Sequence, residues 1–141
     1  MTRFYTIDEA NSALPEVERI LIALRDQREE LIQMRDRVVQ ASPEGDETPS
    51  TGAAEQIRLL RLGMQGLIDQ MQAGVARLVD LDITLRDIST GLIDFPALMS
   101  GRPIWLCWRL GEPSVDWWHR HDEGFQNRRS IEDLPITTRA N

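Results

Sequence analysis

Apolar residues recur through the first eighty positions at alternating spacings of three and four. Val17, Ile20, Leu24, Gln27, Leu31, Met34, Val38 and Ala41 form one seam. Ile57, Leu60, Met64, Leu67, Met71, Gly74, Leu78 and Leu81 form a second. This period belongs to one face of an α-helix. The seams are equally long, each predicting a helix of about 35–40 Å. A single connector joins them, so the pattern predicts an antiparallel hairpin with coiled-coil-like packing. That connector, residues 42–51, holds Pro43, Gly45 and Pro49 and no large apolar side chain. It reads as a mobile loop, with Ser50 or Thr51 capping the next helix.

Upstream, Thr6-Ile7-Asp8-Glu9 has the form of a capping box. It predicts a short helix to about Ala13, with a break or restart at Leu14-Pro15. Gly63, Gly66 and Gly74 either admit a close neighbour or are tolerated weak points. Leu21, Ile22, Ile32, Leu59, Leu62, Ile68, Val75 and Val79 lie off the seams and widen the apolar stripe. One partner helix cannot cover so wide a stripe. The C-terminal half, a second copy of the chain, or both must lie on it.

After Leu81 the period shortens. Ile83-Thr84-Leu85 alternates, Leu92–Leu98 is an extended run, and Pro96 favours an edge for it. Ser100-Gly101-Arg102-Pro103 signals a turn before Ile104–Leu110, the strongest strand candidate. These segments predict an antiparallel meander of two or three strands. Its central strand should be Ile104–Leu110, covered by the helices, with Trp105 and Trp108 on opposite faces. Residues 115–119 read as a helical turn, and residues 132–141 as a frayed tail. The expected fold class is α+β, mainly α. A single domain spans 1–131: a hairpin over 1–81, then a small β-meander and a Trp/His-rich cap over 82–131.

Composition narrows the function classes. The chain has 141 residues, 41% hydrophobic and 28% charged, with a net charge of −7. That balance suits a soluble domain and disfavours nucleic-acid binding, which needs a basic footprint. The opening residues are not expected to serve as an apolar leader, and no run in the sequence nears the ~20 residues that span a bilayer. One cysteine allows no intrachain disulfide, and a cytoplasmic location is the expectation.

All four tryptophans, both histidines and the cysteine fall between Trp105 and His121. Glu112, His119, Asp122 and Glu123 are the candidate ligands of a divalent transition metal, with Asp94 nearby. A helical turn would put His119 on one face with Asp122 or Glu123. The competing reading pairs Glu112 or Asp94 with Arg109, Arg128 or Arg129 as buried ion pairs. His119-x-His121 aligns both imidazoles only if the chain is extended. Cys107 reads as a buried thiol with a raised pKa rather than a nucleophile. Adjacent Trp117 and Trp118 are hard to bury together. With Arg128, they are the candidate contacts to a partner or ligand.

Several of these motifs together resemble a known family. Thr6-Ile7-Asp8-Glu9-Ala10-Asn11 with Leu14-Pro15, Gly91-Leu92-Ile93-Asp94-Phe95-Pro96 and Leu106-Cys107-Trp108-Arg109-Leu110-Gly111-Glu112-Pro113 carry the likeness. Trp118-His119, Gly124-Phe125 and Arg128 extend it. The chain resembles the prokaryotic domain of unknown function 2203 over nearly its whole length. That resemblance implies no activity, substrate or cofactor. The expected function is a soluble interaction module that self-associates as a homodimer or other homo-oligomer, without nucleic acid or membrane; the alternative is a metal-binding protein or metal-dependent enzyme.

Overall fold

The computed structural model describes residues 2–45 and 47–135. Among them, helix α1 spans Ile7–Ala41 and helix α2 spans Thr51–Asp80, packed together as the expected hairpin. The capping box forms: the Glu9 amide donates to Thr6 Oγ1 at 3.1 Å and the Thr6 amide to Glu9 Oε1 at 3.0 Å. Ser50 caps α2, accepting from the Ala53 amide. Gly63 and Gly74 face α1. A Cβ on either would lie 3.2 Å from a side chain of Met34 or Leu24, so both glycines permit close helix approach.

The expected break at Leu14-Pro15 does not occur, and α1 runs through the proline. Pro15 removes one helical hydrogen bond, at a general cost of about 3 kcal/mol. Its side chain is exposed, however, while Ala10, Leu14 and Val17 on the opposite side are buried. Burial of that continuous face outweighs the lost bond.

Five strands follow, where two or three were expected: β1 Thr84–Asp87, β2 Leu92–Met99, β3 Arg102–Arg109, β4 Trp117–Arg120 and β5 Arg129–Ser130. They form an antiparallel meander in the order β1-β2-β3-β4-β5, with β3 central as predicted. The supposed helical turn is largely strand. Residues 117–120 pair with 104–107, so the backbone of β3 finds partners that a helix would have left unmatched. The Val115 amide is held by Asn11 Oδ1 at 2.8 Å, tying this approach to α1. Pro96 sits in β2 beyond the end of β1, where no ladder bond is required of it. Its carbonyl accepts from the Tyr5 amide at 2.7 Å.

Strand alternation sorts the sheet into two faces. Ile93, Phe95, Ala97, Ile104, Leu106, Trp108 and Trp118 face inward and share one core with Leu14, Val17, Leu21 and Leu24 of α1 and Leu78 of α2. The buried residues of α1 stop at Leu24, and those of α2 begin at Leu67. The distal hairpin therefore extends beyond the sheet as an arm. At the C-terminal side, Leu134 is buried in the core, so packing continues past the expected start of the frayed tail. Residues 136–141 of that tail lie outside the described residues.

Candidate functional site

The outward face of the sheet carries Asp94 on β2, Trp105 and Cys107 on β3, and Trp117 and His119 on β4. Register brings Asp94 opposite Cys107, and Trp105 opposite His119. Asp94 and His119 reach toward each other across β3. Between them the chain has only the small thiol of Cys107, which leaves room for the contact. His119 Nε2 lies 3.1 Å from Asp94 Oδ1, and both residues are 2% exposed. Arg86 Nε donates to the other Asp94 oxygen at 2.8 Å. His119 Nδ1 lies 2.9 Å from the carbonyl oxygen of Arg120.

That last contact fixes the ring's chemistry. A carbonyl only accepts, so Nδ1 carries a proton and Nε2 faces a carboxylate. A neutral ring would then set two acceptors against each other. An imidazolium relieves this conflict. Burial disfavours the charged ring, but hydrogen bonds to Asp94 and the Arg120 carbonyl outweigh it, and the His119 pKa is raised. Cys107 is pushed up to about 12, chiefly by burial and then by the neighbouring Asp94 charge. The thiol is protonated and a poor nucleophile, as its apolar strand predicts.

The segment after β4 crosses in front of this face. A cavity of about 240 Å³ lies beneath it, lined by Asp94, Cys107 and His119 together with Arg86, His121 and Glu123. His121 stacks on Trp105, with ring centroids 4.4 Å apart and planes within 8°. Both histidines thus reach one cavity, the outcome that the extended reading of His119-x-His121 required. Arg128 donates to both Glu112 oxygens at 2.7–2.8 Å and lies over the rings of Phe125 and Trp117. Glu112 also accepts from the Arg109 amide, and its carbonyl accepts from Trp108 Nε1. Arg129 holds Glu123, whose carboxyl stays below its usual range because of that hydrogen bond.

The four predicted metal ligands therefore do not assemble. His119 joins Asp94 and Cys107, whereas Glu112 is engaged by Arg128 and Glu123 by Arg129. Asp122 is exposed and lines a different depression, beside Arg102 and Arg120. The cause is β4: an extended His119 does not share a helical face with residues three or four further on. Of the candidate contact residues, Trp118 is core, its indole donating to the Ser130 carbonyl. Trp117, 37% exposed, points the other way. Arg128 is mostly buried within its ion pair. Cys107 is the residue whose place in the cluster sequence reasoning missed, while Asp94, expected only near the site, lies at its centre. One signal was available: Asp94 interrupts the apolar run of β2 at a position opposite in phase to Ile93, Phe95 and Ala97.

No curated protein matches the chain, and no solved structure does. A family described as "Uncharacterized conserved protein (DUF2203)" matches residues 3–131. The match takes in the hairpin, all five strands and the buried cluster alike, and the chain belongs to the DUF2203 family.

Proposed function

We propose that the chain is a self-associating interaction module that forms a homodimer through the outward side of α2. The observation that carries this reading is an asymmetry between the helices. From Leu62 to Ala76 the sole charged residue is Asp69, whereas Arg25–Arg37 of α1 contains eight charged residues. Leu59, Leu62 and Val79 are 55–64% exposed on α2. An apolar groove lined by Leu31, Ile68, Met71 and Val75 lies on a different side of α2 from Leu59 and Leu62. Exposed apolar surface of this extent on one helix supports an interaction role. A second copy fits because the same low-charge face is then matched to itself, as an isologous dimer requires.

The net charge of −7 favours protein over nucleic acid as the partner. Among the described residues, no helix is long and apolar enough to cross a membrane. A cytoplasmic location belongs to the same reading, since Cys107 is a free thiol.

Light scattering should give a mass near twice 16.2 kDa across a wide concentration range. Leu62→Glu should shift it to the monomer with helical circular dichroism retained. A monomeric mass for the unaltered chain at high concentration overturns the proposal.

A further inference from the structure

We propose that Asp94, Cys107 and His119 form a binding site for one divalent transition metal of borderline softness, zinc above all. One ligand atom from each residue lies within 4.8 Å of the others, and all three residues are buried. A carboxylate, a thiolate and an imidazole are together a zinc-type donor set. The 3.1 Å between His119 Nε2 and Asp94 Oδ1 is near the separation of two tetrahedral ligands. Bonds of about 2.0–2.1 Å would put such ligands roughly 3.3 Å apart.

The surrounding contacts are those of a supported metal site. Each ligand that has a second polar atom has that atom already engaged. His119 Nδ1 is tied to the Arg120 carbonyl, which leaves Nε2 directed inward. Asp94 Oδ2 is tied to Arg86, which leaves Oδ1 directed inward. Such outer partners orient ligands and set the imidazole tautomer. The adjoining cavity, with His121 and Glu123 on its wall, leaves a fourth position for water or a further ligand.

Coordination requires a Cys107 thiolate and a free lone pair on His119 Nε2, so any proton on either atom leaves to solvent in exchange for the entering dication. The exchange is independent of the dimer proposed above, because these residues lie on the sheet and not on α2.

The test uses the full chain, purified without a metal-affinity tag, stripped with chelator and titrated with Co²⁺ and then Zn²⁺. The expected result is one Co²⁺ per chain, a thiolate-to-cobalt charge-transfer band, tetrahedral visible bands and proton release. Zn²⁺ should displace the cobalt. Cys107→Ala should abolish the charge-transfer band and weaken binding by at least about 100-fold, beyond the loss typical of outer partners alone. His119→Gln should weaken binding likewise, with folding checked by circular dichroism. Asp122→Asn should leave binding unchanged. Absence of binding overturns the proposal. So does cobalt binding without a thiolate band, or binding equally tight in Cys107→Ala, since either would place the ion on exposed side chains such as His121.

Discussion

Glu112 accepts from the Arg109 amide and takes the Arg128 guanidinium on both oxygens, with both side chains of the ion pair largely withdrawn from water. Removing one member of a buried pair strands the other, at a general cost of about 3–5 kcal/mol. The Glu112→Gln protein should therefore unfold in urea with about 3 kcal/mol less stability. Its Cys107 should also be modified faster by thiol reagents, because Arg128 is what draws the covering segment down. Asp122→Asn, at an exposed site, should shift stability by less than about 0.5 kcal/mol. The pairing of Glu112 with an arginine was legible in the sequence, since acids beside tryptophans and arginines in a buried strand need partners. The grouping of Asp94, Cys107 and His119 was not. It joins strands that flank a third, and a helical reading of residues 115–119 hides the register that creates it.

Among elements, the two helices were readable because their period is local: each apolar position needs only neighbours three or four residues away. Strand β4 was not, because Trp117–Arg120 is extended for the sake of β3, ten or more residues upstream. The proline in α1 shows the same priority of packing over local preference. Its exposed position carries a helix penalty with no buried contact in return. Pro15→Ala should raise stability by about 2 kcal/mol, the recovered helix term of about 3 kcal/mol less up to about 1 kcal/mol for the greater freedom of an unfolded alanine. Thermal and urea unfolding would measure it. A loss of stability would mean that the proline makes a contact its exposure conceals.

On the scale of the whole molecule, the core is concentrated where the base of the hairpin meets the sheet. Stability should be distributed in the same way. Hydrogen exchange should show amides around Gln27–Val38 opening at lower free energy than those of Val17–Leu24, with the difference narrowing as dimer forms. Uniform protection along α1 at low concentration would contradict this division. A different consequence follows from the stitches between the chain's two halves. The Tyr5 amide is bound to the Pro96 carbonyl, Tyr5 Oη to the Leu81 carbonyl, and Asn11 to the Val115 amide 104 residues on. During synthesis the hairpin must leave the ribosome well before β2, β3 and the approach to β4 exist. For that interval Leu14, Val17 and Leu21 have no sheet to cover them. The nascent chain is thus a long amphipathic hairpin in waiting, and its last fifty residues turn an adhesive intermediate into a finished protein.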